Sequence, residues 1–138
     1  MIRVVADTNV YVSAIVFGGP CEAILALARA GVVDLAISHA IQRELRSVLG
    51  EPFGWGESRV REALAEVNGL TTLVKPRMRL SGVLSHDADH RILECALAAR
   101  ADYLVTGNKK HFHALGAYQG IRIVSPRQFL DEIRPHTH

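Results

Sequence analysis

Long hydrophobic runs are missing from this sequence. The longest apolar stretch, Val10 to Phe17, is broken by Tyr11 and Ser13 and falls far short of the roughly 20 residues that a membrane span requires. The amino terminus carries no secretory-type apolar segment either, because Arg3 precedes a three-residue apolar run that stops at Asp7. A soluble, cytoplasmic protein is the expectation. Cysteine is scarce: Cys21 and Cys95 lie far apart and fit no metal-ligand spacing, which points to two free thiols in or near the core. A strong charge of one sign is lacking too. The net charge of +2 and pI near 8.7 are only mildly basic, so any case for a nucleic-acid partner rests on local clusters. No internal repeat or low-complexity tract is found.

What is present suits one globular domain. The 138 residues are 49% hydrophobic and 22% charged, enough for a single core and too few for two. The domain is read as residues 1–132, followed by a short tail over 133–138 that holds His136 and His138. The richest breaker segment, Gly50-Glu51-Pro52-Phe53-Gly54-Trp55-Gly56, reads as an excursion between helices.

Helical and strand patterns alternate along the chain. Ile2 to Ala6 is a β-branched run without polar alternation, as in a strand buried on both faces. Cys21 to Ala30 has helical spacing and stops at Gly31, a residue suited to a left-handed cap. Val32 to Ile37 reads as a second strand. Ile41, Leu45, Val48 and Leu49 form a helical stripe, and Glu57 to Val67 another helix leading to a third strand near Leu73 and Val74. Asp87 to Arg100 is a helix, Tyr103 to Thr106 a fourth strand, and Ile121 to Val124 a fifth. The last helix opens with Ser125 and Pro126, a cap residue followed by proline at the first helical position. The predicted fold is a three-layer α/β/α sandwich around a central, mostly parallel five-stranded sheet. Ligand sites in such sheets lie at the carboxyl ends of the strands, here near Asp7, Ser38 and Gly107-Asn108.

Acidic residues reach that edge from separate segments. Asp89 shares a stripe with Ile92, Leu93, Ala96 and Leu97, which puts a carboxylate in the first helical turn on the core-facing side. A helix amino terminus offsets the burial cost by only about 0.3–1 kcal/mol, and a metal ion would supply the rest. Asp87 lies half a turn away and is placed mainly as the N-cap, with metal ligation as its alternative. Glu44 sits at the margin of its stripe, as a ligand or as a solvated acid, with Arg43 pointing further outward. Asp7 ends a buried strand, where its uses are ligation or capping the next helix. Three such carboxylates offer the oxygen ligands that Mg²⁺ and Mn²⁺ prefer, a combination suited to phosphodiester hydrolysis. Crowding should raise at least one of their pKa values when no metal is bound.

The segments Val5-Ala6-Asp7-Thr8-Asn9-Val10, Ser38-His39-Ala40-Ile41-Gln42-Arg43-Glu44-Leu45, and Asp87-Ala88-Asp89 through Ala101-Asp102-Tyr103-Leu104-Val105-Thr106-Gly107-Asn108 together resemble a PIN domain, in order and in spacing. The resemblance covers nearly the whole chain and is nearest to the branch described as toxins of toxin–antitoxin systems, related to VapC-type ribonucleases. It implies a Mg²⁺- or Mn²⁺-dependent endoribonuclease with Asp7, Glu44 and Asp89 as metal ligands, RNA as substrate, an antitoxin protein as partner, and a homodimer. Many family members carry an aspartate where this chain has Asn108. That substitution turns a four-acid site into a three-acid one with Asn108 retained as a catalytic candidate, and Asp87 as a candidate to compensate.

Thr8, Asn9 and Thr106 are candidates to orient Asp7 and ligand waters, or to cap helices and satisfy backbone groups. Lys109 and Lys110 follow Asn108 and suit phosphate contact, or a solvated turn. His111 and His113, two residues apart, lack an obvious third zinc ligand. Asp102 precedes strand four and is read as structural. Among other classes, a haloacid-dehalogenase-like phosphotransferase needs a second aspartate at position 9, which is asparagine here. A PIN-like module that binds RNA or protein without cutting, and an RNA-processing nuclease that is no toxin, stay open.

Overall fold

The computed structural model describes residues 1–107, 112 and 117–133. In chain order the elements are β1 (Ile2–Ala6), α1 (Thr8–Val16), α2 (Gly19–Arg29), β2 (Val33–Ile37), α3 (His39–Gly50), α4 (Glu57–Leu70), β3 (Thr71–Leu73), α5 (Asp87–Ala99), β4 (Tyr103–Val105), β5 (Ala117–Tyr118), β6 (Ile121–Val124) and α6 (Pro126–Ile133). One six-stranded sheet runs in the order β3-β2-β1-β4-β6-β5. All neighbours are parallel except the short β5, which pairs antiparallel with β6 at the edge. The sequence pattern anticipates five of these strands. Its third strand was placed two residues late, and β5 has only two residues in which to show a pattern.

β1 lies inside the sheet between β2 and β4, and Val4, Val5 and Ala6 have no solvent exposure. This is why its residues carry no polar alternation. α5 crosses β1, β2 and β4, while α2 packs on β2 and α6 on β4. α1 was not anticipated. Thr8, Val10, Tyr11, Val12 and Ala14 are all buried, so the helix has almost no polar face to announce it. No single helix among the described residues is long and apolar enough to cross a membrane; α1 and α2 pass that test only as a pair, bent by 99°.

Local signals set several boundaries. Gly31 adopts φ +76° after α2, and Val32 donates back to the Leu27 carbonyl at 2.9 Å, closing the helix in the left-handed manner expected of glycine. Ser38 Oγ accepts from Ile41 N at the start of α3, and Ser125 Oγ accepts from Gln128 N before α6. Both cysteines are buried free thiols. Asp102 accepts from Arg3 N at 2.9 Å and donates its own N–H to the Arg3 carbonyl at 2.8 Å, tying β1 to β4 at the amino edge. Its structural role is as read from the sequence.

Candidate functional site

Because β1, β2, β3, β4 and β6 run parallel, the residues after each of them reach the same edge. The backbone ladder continues one residue past the strands: Asp7 N donates to Val105 O at 3.0 Å, Thr106 N to Val124 O at 2.9 Å, and Val74 N to Ile37 O at 2.8 Å. The positions of Asp7 and Thr106 are thereby fixed by the sheet.

Asp7 is the most constrained acid of the site. Only 6% of the residue is exposed. Its Oδ1 accepts the Val10 N–H at 3.0 Å, capping α1, and its Oδ2 accepts the Thr106 hydroxyl. Burial pushes its pKa up to about 6, and the neighbouring Asp89 and Glu44 carboxylates add to the rise; the bonds from Thr106 and Val10 oppose it. One carboxylate of the group is raised, as expected, but burial is the main cause and crowding by the other acids a smaller one. Asp7 thus caps the next helix and also faces the other two acids.

Asp7, Thr8, Asn9, Glu44, Ala88, Asp89 and Ile92 line one cleft of about 160 Å³. Glu44 is exposed on α3 and reaches the cleft from the helix flank. Asp89, 18% exposed at its side chain, lies in the first turn of α5, with His86 Nδ1 at 4.0 Å from its Oδ2. Asn9 is exposed at the rim, whereas Thr8 is buried with its hydroxyl unpartnered among the described residues. Close to Asp7 is Tyr11, fully buried, with no hydrogen-bond partner for its hydroxyl among the described residues. Neighbouring Cys95, hydrogen-bonded to Ser38, is pushed up to about 12 by burial. A thiol in that state is inert at neutral pH.

Asp87 does not take its expected place. His86 is the N-cap of α5, without a side-chain cap bond, and Asp87 is the first helical residue. Its side chain is 76% exposed and turns to His90 Nδ1 at 3.2 Å and Arg91 at 3.9 Å, and it is absent from the cleft lining. The physical reason is position: Asp87 is already the first helical residue of α5, one place past the cap, and from there its carboxylate meets the His90 ring at i+3. Asn108, Lys109, Lys110, His111 and His113 lie outside the described residues.

The face of α5 away from Asp89 holds residues that sequence reasoning passed over. His90 Nε2 accepts from Val83 N at 3.2 Å and Leu84 N at 3.0 Å, so Nδ1 carries the proton donated to Asp87. Glu94 accepts from Leu80 N at 2.7 Å and pairs with Arg91 at 2.9 Å; Arg91 in turn donates to the Leu80 carbonyl at 3.0 Å. Together they strap residues 80–84, which have no regular structure, onto the helix. The readable signal was Asp87, His90, Arg91 and Glu94 at offsets of three, four and seven.

Chemically the cleft offers oxygen donors only, the set that hard divalent cations prefer. No group of three His, Cys, Asp or Glu side chains among the described residues is already arranged to hold a metal ion.

Comparison with known proteins agrees with this architecture. The PIN_3 family model, a PIN domain, matches residues 3–110. The chain is similar in structure to a chain of VapBC2 from Rickettsia felis bound to a DNA fragment from their promoter, with a TM-score of 0.65 and 18% identity over 90% of this chain and 98% of that one. A chain of DNA-bound VapBC from Salmonella typhimurium gives 0.65 and 17%, covering 91% and 99%. A chain of VapBC-1 from nontypeable Haemophilus influenzae gives 0.64 and 16%, again covering 91% and 99%. No curated protein matches the chain. With a PIN model covering residues 3–110 and the expected sheet beneath its acids, the chain belongs to the PIN domain family.

Proposed function

We propose that this protein is a metal-dependent endoribonuclease and the toxin of a toxin–antitoxin pair. The observation that carries the reading is Asp7: a buried carboxylate held by Thr106 and Val10, raised to about 6, and facing the cleft it shares with Glu44 and Asp89. Burying one acid beside two others is costly unless a cation compensates them.

The donor set fits Mg²⁺ or Mn²⁺, held by Asp7, Glu44 and Asp89. Glu44 is exposed and has rotamer freedom to close on the other two, which accounts for the open arrangement of the acids. When bound, such a cation neutralises phosphate charge and lowers the pKa of an attacking water. The protein's own groups do the positioning. Thr106 and Val10 fix both oxygens of Asp7, so its orientation is set before any ligand arrives. Asp7 gives up a proton on ligation below about pH 6. Asn108, Thr8 and Asn9 are assigned to water and substrate positioning, and Lys109 and Lys110 to phosphate contact.

The antitoxin and a homodimeric state are part of the same reading, supported by the likeness to VapBC structures and by family membership. The test is direct. Purified protein with Mn²⁺ or Mg²⁺ is expected to cut RNA, and Asp7→Asn and Asp89→Asn to abolish cutting and toxicity on expression. If the wild type cuts no RNA with either ion, and the two substitutions change neither metal affinity nor growth, the nuclease reading is wrong.

A further inference from the structure

Next to the acid cleft lies a groove of about 400 Å³ between the start of α3 and residues 74–79. Its lining includes Arg43, Lys75, Arg77, Arg79 and the Arg91–Glu94 pair. Arg91 is neutralised by Glu94 at 2.9 Å, but no carboxylate among the described residues pairs with the other four cations, all of them exposed. Elsewhere the pattern is mixed: Arg3, Arg29, Arg61 and Arg122 each have an acidic partner, Arg59 stacks on Trp55, and Arg46, Arg100 and Arg127 have no ion pair among the described residues, so it is the clustering of four in one groove that sets this place apart. Four unpaired cations along one groove repel one another and favour a polyanion.

Two further features show that the groove is built. The segment after β3 has no helix or strand, yet its end is pinned by buried groups: Glu94 and Arg91 hold both backbone groups of Leu80, and His90 holds Val83 and Leu84. The side chains of Glu94 and Arg91 are only 5% and 17% exposed. A largely buried ion pair is a costly way to fix a loop, and its effect is to present Lys75, Arg77 and Arg79 on anchored backbone. The groove and the cleft take neighbouring residues from the same two helices, on different faces of each. Arg43 and Glu44 are consecutive on α3, and Arg91 and Ile92 on α5. β3 and β1 are separated only by β2, so their carboxyl ends lie about 10 Å apart along one sheet edge.

We propose that this groove is the track for the phosphate backbone of the RNA whose scissile bond enters the acid cleft. The inference rests on the nuclease reading for the second half of that statement only. A polyanion nearing three carboxylates is repelled by them, and the adjoining cations supply the compensating attraction without occupying the cleft.

Binding of a fluorescent oligouridine to the full-length chain, measured by anisotropy in EDTA across a series of NaCl concentrations, tests the track apart from cleavage. Replacing Arg43, Lys75, Arg77 and Arg79 together by glutamine is expected to weaken binding at low salt at least tenfold. The slope of log affinity against log salt should become shallower by about 0.7 per cation, nearly 3 in all. Arg77→Gln alone should remove about 0.7 and keeps the test alive if the fourfold variant does not fold. An unchanged slope in a folded variant, or no RNA binding by the wild type, overturns the proposal. So does polyglutamate binding that the substitutions weaken while RNA binding is untouched, which would make the groove a site for an acidic protein segment. Cutting with Mn²⁺ is scored separately: intact cleavage with an unchanged slope defeats the track and spares the nuclease, and the expected slopes with no cleavage do the reverse.

Discussion

Replacing Asp7 by asparagine should make the protein more stable at pH 8 while removing the proposed nuclease activity. Asp7 is 6% exposed and its pKa stands at about 6, against 3.8 for the unperturbed group. Each pKa unit is worth 1.36 kcal/mol, so the ionised form costs the native state about 3 kcal/mol at any pH well above 6. The sign follows from proton counting. Between about pH 4 and 6 the folded chain holds a proton on Asp7 that the unfolded chain has released, so stability falls as pH rises through that window and the cost is absent below it. Asparagine keeps an oxygen for the Val10 N–H, and the Thr106 hydroxyl can turn to accept from the new amide, so little bonding is lost. In urea denaturation with EDTA, Asp7→Asn is therefore expected to gain up to about 3 kcal/mol at pH 8 and close to nothing at pH 4. A loss at pH 8, or a gain of equal size at both pH values, would refute the view that this carboxylate is held charged against the preference of its surroundings.

Other consequences can be checked with the same preparations. Mn²⁺ at a hundredfold excess over its Kd should stabilise the wild type by about 2.7 kcal/mol in thermal melts. That gain should shrink below about pH 6, where the Asp7 proton must be displaced, and vanish in Asp7→Asn; an equal gain in the variant would place the ion elsewhere. Glu94→Ala leaves Arg91 largely buried without its partner and frees the Leu80 N–H, with an expected loss of about 3 kcal/mol. A loss under about 1 kcal/mol in urea titrations would mean that Arg91 escapes to solvent and that the strap carries little strain. Tyr11→Phe removes a buried hydroxyl that has no partner among the described residues, and should leave the urea midpoint unchanged or raised. A clear fall in that midpoint would show that the hydroxyl is bonded after all.

The parts of the molecule legible in its sequence are those with a period or a cap. β1, β2, β4 and β6 show as apolar runs, and Gly31, Ser38 and Ser125 mark helix ends through local bonds that depend on nearby residues alone. α1 was hidden because burial on most sides erases amphipathic contrast. Asp7 and Asp89 were readable because a carboxylate ending an apolar strand, or lying on an apolar stripe, contradicts its surroundings. Glu44 was half readable: its place at the margin of an apolar stripe left ligand and solvated acid both open, and the family resemblance favoured the first. Asp87 was misjudged as a cap because the cap of α5 falls one residue earlier, on His86, with no side-chain cap bond to mark it; its i+3 neighbour His90 is buried under residues 83–84, a tertiary fact with no local signature. The cations at 75–79 were invisible for a related reason: that stretch has no period, and its meaning depends on Glu94 and Arg91 holding Leu80 in place.

The hydrogen bond between Thr106 and Asp7 joins residues 99 positions apart. β4 inserts beside β1 only after α5 has been made, so a chain growing from its amino terminus presents Asp7 without Asp89, and later with Asp89 but without Thr106. The acid cleft is therefore among the last things that synthesis completes. On the proposed ribonuclease reading, that order matters to the ribosome making the protein. The Thr106 hold on Asp7 forms only after more than three quarters of the chain has emerged, and a premature stop before β4 yields a fragment that lacks it.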